Sequence, residues 1–149
     1  MNSIHRTIYL TRVYKQRIKK THPLYKTFIE LTIKSKNLYN LALYEERQYY
    51  FEHKKIIPRF TLISMLNKTQ AYKELPSQTS NLVADQAYLA FKAFNEATKE
   101  FYKNPSKFLG RPRIPRYKDK LKGRNTVSFT YQQLRIKDST LLLPKGSET

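Results

Sequence analysis

The sequence predicts an α+β fold in which a block of helices interrupts a β unit, on three observations. A strand-like stretch opens the chain, helical periodicity then holds for about 80 residues, and a proline-rich basic stretch leads into short apolar runs with strand alternation. At 149 residues the chain has the length of one domain, or of two small ones.

Residues 4–18 set Ile4, Ile8, Leu10 and Val13 among Thr, Tyr and basic neighbours, the composition of a twisted, partly buried strand. His22-Pro23 marks a turn. From there Leu24, Phe28, Leu31, Leu38 and Ala42 keep helical spacing, with Ser35 in the missing step, and predict a helix to about Phe51. Ile57-Pro58 breaks the pattern, because proline disfavours helix at the residue before it; a short apolar helix is expected from Phe60 to Leu66.

Leu75-Pro76-Ser77 is the next break. From Gln78 to Tyr102 the stripe Val83, Ala87, Ala90, Phe94, Ala97, Phe101 advances in steps of three and four, the signature of a core helix, with Lys92, Glu96, Lys99 and Glu100 outside it and Glu96 one turn from Lys99. Asn104-Pro105 ends that helix. Gly110, Pro112, Pro115 and Gly123 then exclude long helix, Val127, Phe129 and Tyr131 alternate like a strand, and Leu134–Ile136 and Leu141–Leu143 suggest two more. The expected division is 1–21 for the first β part, 22–104 for the helices and 105–149 for the basic loop and returning strands; no internal repeat is present.

Charge supplies the functional signal. Twenty-nine Lys and Arg against 11 Asp and Glu give a formal net charge of +18 and a pI near 10.1, which points to a polyanionic partner. Twelve Tyr and 8 Phe distinguish the chain from a disordered basic tail, since rings can be buried or offered to bases.

Between Lys103 and Arg124 stand nine basic residues and a single acid, Asp119. A proline-stiffened backbone loses little entropy on binding and can track phosphates, so polyanion contact is favoured over a merely solvated loop. The candidate nucleic-acid-binding residues here are Lys107, Arg111, Arg113, Arg116, Tyr117, Lys118, Lys120, Lys122 and Arg124, with Tyr117 as a stacking face. At the N-terminal end, where no acid precedes Glu30, they are Arg12, Lys15, Arg17 and Lys19; if the two segments are neighbours their charges form one surface. Tyr39, Tyr44, Tyr49 and Tyr50 are either stacking faces or, as aromatic residues at helical spacing more often are, core and core rim.

Other chemistries find little support. With no Cys there is no disulfide or thiolate nucleophile, and His5, His22 and His53 lack metal-ligand spacing. The Asp residues Asp85, Asp119 and Asp138 make no pair at useful spacing, Glu45-Glu46 are adjacent and point apart on a helix, and neither HExxH nor a Walker loop occurs, so the chain is expected not to be an enzyme by itself. No run approaches the ~20 apolar residues of a membrane span and the first residues lack a signal-peptide core, which predicts a cytoplasmic protein with no membrane partner.

Several strings carry a family resemblance: Ser35-Lys-Asn-Leu-Tyr-Asn40, Leu75-Pro-Ser-Gln-Thr79, Asn104-Pro-Ser-Lys-Phe-Leu-Gly-Arg-Pro112 with Pro115-Arg-Tyr-Lys118, and Leu143-Pro-Lys-Gly146. In order and spacing they resemble TnpB, the OrfB protein of insertion-sequence transposons, along nearly the whole chain. The resemblance implies a wedge-type β-barrel begun by the first strand, interrupted by an inserted helical recognition domain and resumed after the Gly-Arg-Pro loop. It also implies binding of a guide RNA and target DNA in a nucleoid-associated setting, base pairing supplying most of the specificity.

The family's RuvC-like nuclease domain, with its acidic residues and Mg²⁺, has no counterpart in this sequence, so no cleavage and no cofactor are expected of this chain. The Gly110–Lys118 loop would touch guide RNA or target-adjacent duplex, with Gln132 and Gln133 as weaker candidates. Two alternatives stand beside this reading: a stand-alone regulatory or decayed RNA/DNA-binding relative without a nuclease, and a generic basic component of a ribonucleoprotein or membrane surface.

Overall fold

The computed structural model describes residues 12–147. Half of them belong to four α-helices, α1 (Tyr25–His53), α2 (Arg59–Leu66), α3 (Gln70–Lys73) and α4 (Ser77–Lys103). A 3-10 turn at Pro105–Lys107 closes the helical block, and two short strands, β1 (Arg135–Lys137) and β2 (Thr140–Leu142), form an antiparallel hairpin.

The long helices α1 and α4 pack on each other because each carries an apolar stripe. Leu31, Leu38 and Ala42 of α1 meet Val83, Ala84 and Ala87 of α4, while Leu62 and Leu66 of α2 and the connecting residues Ile57 and Leu75 close the core from the side. Each Leu, Ile or Val side chain so removed from water stabilises the fold by roughly 1.5–3 kcal/mol, and the alanines by less while letting the helices approach. Beyond the core, Phe91 interlocks edge-to-face with Tyr50 and Phe94, at centroid distances of 5.5 and 5.7 Å.

The helix ends follow from local chemistry. Lys54 takes a left-handed conformation (φ 54°) and its N–H donates to the Tyr50 carbonyl, ending α1. The Thr69 hydroxyl accepts from the Tyr72 N–H at 3.4 Å at the start of α3, an element the periodicity gave no sign of. Pro76 precedes α4, where a missing N–H costs nothing, and the Ser80 hydroxyl ties that first turn back to the Tyr72 carbonyl at 2.7 Å.

The expected helices over 24–51, 60–66 and 78–102 match α1, α2 and α4 closely. The β part differs. Of the strand expected over 4–18, residues 4–11 lie outside the described residues, and 12–18 form no strand. Val127–Tyr131 is not a ladder strand: Val127 and Phe129 pack on the helical core, so the helices bury the apolar side chains that a partner strand would otherwise cover.

Only the last two expected strands pair, Arg135 opposite Leu142 and Lys137 opposite Thr140, around a two-residue turn in which Asp138 and Ser139 both have positive φ (48° and 60°). The class is therefore α+β, dominated by helix, with one two-stranded sheet among the described residues and no closed barrel.

The α4 stripe is also rotated from its expected position. Burial centres on Val83, Ala84, Ala87 and Phe91, and the later stripe members Phe94, Ala97 and Phe101 are only half-buried, because the partner helix α1 no longer covers that face near its end. Outside the stripe Glu96 pairs with Lys92 at 3.9 Å, one turn before it, rather than with Lys99.

Candidate nucleic-acid interface

The residues after Pro105 do not stand apart from the helices. They run back along α1 as an extended strap, and polar side chains of α1 hold it by its peptide groups. Lys36, Asn40 and Arg47 follow one another by four and seven residues, which places them on one helix face. The Lys36 ammonium donates to the Lys120 carbonyl at 2.6 Å, and Arg47 Nη1 donates to the Pro115 carbonyl at 3.0 Å. Between them the Asn40 amide both donates to the Lys118 carbonyl and accepts from the Lys118 N–H, each at 2.9 Å.

The strap is antiparallel to α1, so its later residues meet earlier turns of the helix. The Ser35 hydroxyl donates to the Thr126 carbonyl at 2.9 Å and the Asn125 N–H donates to the Thr32 carbonyl at 3.1 Å. The buried Asn125 amide donates to both Ser35 Oγ and Gln86 Oε1, at 2.9 Å each, and so joins strap, α1 and α4 at one point. Further on, Gln133 Nε2 donates to the Thr79 hydroxyl at 3.3 Å, and the Thr130 hydroxyl bonds Gln78 Oε1. The string Ser35–Asn40 thus supplies an anchor for the third, basic string through Asn40 and Lys118, whereas Leu75–Thr79 holds the residues that follow it, Thr130 and Gln133.

Holding the backbone leaves side chains outward. Arg113, Arg116, Lys120 and Lys122 are exposed and make no ion pair among the described residues. Arg111 donates to the Tyr102 hydroxyl at 2.8 Å, and Arg124 donates to the Gly123 carbonyl at 2.8 Å. Two of the candidate residues are committed to the fold. Lys107 pairs with Glu100 at 3.1 Å, and the Lys118 ammonium sits 5.0 Å from the Tyr39 ring centroid. Tyr117 keeps one partly exposed face, its ring carrying the Arg47 guanidinium at 4.9 Å.

Asp119, the single acid of the basic run, is a turn-former rather than a counter-charge. Its carboxylate accepts from the Leu121 and Lys122 N–H groups at 2.9 and 2.6 Å, and these bonds, Lys122 first, hold its pKa below the usual carboxylate range. The turn closes with the Gly123 N–H on the Asp119 carbonyl at 3.1 Å, and a Cβ on Gly123 would lie 2.3 Å from that carbonyl oxygen, so the position admits only glycine without opening the turn.

Arg12, Lys15, Arg17 and Lys19 are exposed on a stretch without regular structure ahead of α1. Arg17, Lys19 and Tyr25 line a groove of about 450 Å³ there. No hydrogen bond or ion pair among the described residues joins this stretch to the strap, so direct contact does not fuse the two basic segments into one surface. The weaker candidates divide: Gln133 is an anchor of the strap, whereas Gln132 is exposed.

Sequence reasoning missed Lys36, Asn40 and Arg47 as site residues, because each bonds a peptide group far along the chain and nothing in its own neighbourhood marks it. It also missed Glu46, whose side chain is fully buried. Glu46 Oε2 accepts from the Ile57 N–H at 3.0 Å while Oε1 has no partner, and burial pushes the pKa up to about 7 against the lowering effect of that one bond.

Among the described residues no three His, Asp or Glu side chains gather as a metal site, and three of the acids serve the fold: Asp85 pairs with Arg59, Asp119 forms its turn and Glu46 braces the α1–α2 connection. No helix among them is long and apolar enough to cross a membrane. Fold and surface together define a small, strongly basic, helix-dominated α+β protein carrying an anchored cationic strap. No family model, curated protein or solved structure matches the chain.

Proposed function

We propose that the chain binds nucleic acid through the strap of residues 108–126, as the guide-RNA- and target-DNA-holding part of a TnpB-like, transposon-encoded RNA-guided nuclease, and that it performs no cleavage itself. One observation carries the binding reading: the helix grips the peptide groups of the strap and leaves Arg111, Arg113, Arg116, Lys120, Lys122 and Arg124 facing outward. A cationic track whose backbone is already ordered pays less entropy when it meets a phosphate chain, and Arg grips phosphate through two donors. The net charge of +18 supplies attraction at longer range.

The narrower TnpB-like reading rests on the four sequence strings, of which Ser35–Asn40 bonds the strap directly and Leu75–Thr79 bonds Gln133 just beyond it. A titration over a range of salt tests both levels, comparing transposon-end RNA with unrelated RNA and with duplex DNA. Preference for the transposon-end RNA is expected. Replacing Arg111, Arg113 and Arg116 with Ala should weaken binding and flatten the salt dependence by about one unit of slope per lost phosphate contact. Equal binding to all three ligands would reduce the reading to a generic polyanion surface, and an unchanged slope would remove the strap from the interface.

A further inference from the structure

We propose that the cleft where the last turns of α1 and α4 meet the start of the strap takes one unstacked base of a single-stranded nucleic acid. This inference rests on the nucleic-acid reading above and adds to it a cleft for a base beside a strap whose outward side chains are mostly sites for phosphates.

The cleft has a volume of about 480 Å³, inside the range of small-ligand sites, and opens to solvent. Its floor is rigid: Tyr50 and Phe94 meet edge-to-face at 5.6 Å, and each also packs against the fully buried Phe91. Its rim is aromatic and accessible, Phe51 being 51% and Tyr102 64% exposed. Rings of this size left in water cost free energy unless a partner covers them.

The charges around the cleft say what that partner is. Lys54, at the left-handed end of α1, and Arg111, at the start of the strap, line it, and no acidic side chain does. Arg111 is oriented by its bond to the Tyr102 hydroxyl and lies 5.7 Å from the Tyr102 ring centroid. Beside the rings, the Tyr102 hydroxyl and the Arg111 guanidinium set hydrogen-bonding groups at the cleft that suit a ligand with a polar edge. The occupant therefore needs a flat apolar face, a polar edge and an attached negative charge.

A nucleobase on its phosphate has all three. Continuity points the same way: Arg111 belongs both to the cleft and to the line of outward cations that runs on through Arg113 and Arg116, so a strand tracking the strap is delivered to the cleft. A neighbouring groove lined by Lys55, Lys92 and Glu96 has neither the rings nor the uniform sign and suits no base.

The test uses the full chain and two single strands of equal length and charge, one with bases and one a base-free deoxyribose-phosphate strand. The wild-type protein should bind the base-bearing strand about tenfold more tightly, the scale of one base–aromatic stack. Tyr102→Ala and Phe51→Ala should each bring the two affinities together while leaving the salt slope unchanged, and Tyr102→Phe should keep the preference; both rim residues are exposed, and an unchanged thermal melt verifies the fold.

Equal affinity of the wild-type protein for the two strands, or variants that weaken both strands alike, would overturn the base site and leave the phosphate-binding strap standing. Absence of salt-dependent binding to either strand would overturn the strap reading and the base site together.

Discussion

Asn40 and Lys118, seventy-eight residues apart in sequence, exchange a complete pair of hydrogen bonds, side-chain amide to peptide group, each 2.9 Å long. The amide satisfies both backbone polar groups of one residue at once, as a neighbouring strand would. An Asn on a helix face here does for the extended segment what a sheet does elsewhere, which explains how residues 108–134 stay ordered without β pairing.

Asn40→Ala leaves the Lys118 N–H and carbonyl without their partners. At about 1 kcal/mol per lost bond, with some cost for the unpaired groups, the protein should lose roughly 2–3 kcal/mol of stability. Chemical denaturation measures the loss, and hydrogen exchange at the Lys118 amide should accelerate more than at amides of α4. Exchange unchanged at Lys118 would mean the strap is held by other contacts.

Lys118 and Lys122 are both basic residues of the strap but should behave differently. The Lys118 ammonium lies over the Tyr39 ring, whereas Lys122 is exposed without an ion pair among the described residues. Lys122→Ala is expected to reduce the salt slope of nucleic-acid binding by about one, and Lys118→Ala by less. Equal slopes for the two variants would show that Lys118 leaves its ring on binding.

Phe91→Ala should cost about 3–5 kcal/mol, the range for emptying a buried aromatic site. Phe94→Ala should cost clearly less, since Phe94 is only half-buried and opens on the cleft. Urea unfolding of the two variants checks the order, and the reverse order would return the core to the face that the sequence stripe predicts.

Glu46 should make stability depend on pH. Its pKa is raised by burial from an ordinary 4.5 to about 7, so the folded protein holds this proton more tightly than the unfolded chain does. The contribution is fully present below about pH 4.5 and is lost as pH rises through about 7, a change on the order of 3 kcal/mol. Glu46→Gln stays neutral and can still accept from the Ile57 N–H, so the difference in stability between variant and wild type should grow from pH 5 to pH 8 in the variant's favour. A difference that does not move with pH would show that Glu46 ionises normally.

These cases mark how far the sequence is legible. The helices α1 and α4 are readable because an amphipathic period repeated over seven turns has no rival explanation, as Leu31, Leu38 and Ala42 on one and Val83 and Ala87 on the other show. The rotation of the α4 core toward Phe91 is not readable, because it depends on where α1 ends rather than on α4 itself. Val127 and Phe129 alternate as a strand does, and alternation cannot say whether a strand or a helix pair covers the apolar face.

The site divides in the same way. Outward cations such as Arg113, Arg116 and Lys122 are visible as composition, whereas their anchors Lys36, Asn40 and Arg47 are visible only as a long-range pairing of side chain with backbone, which no local pattern encodes. Glu46 reads as a surface acid beside Glu45 until the Ile57 N–H is brought to it across the α1–α2 turn.

Because α1 holds the strap mainly by carbonyls and two peptide N–H groups, most of the atoms that keep it in place, Asn125 and Gly123 apart, are common to every amino acid, while those that face outward differ from residue to residue. Shape and chemistry are thereby uncoupled along Arg113, Arg116, Lys120 and Lys122. These four positions can be rewritten, in the laboratory or by mutation over generations, to suit a different ligand without unseating the scaffold, and the price of such a change falls on recognition alone.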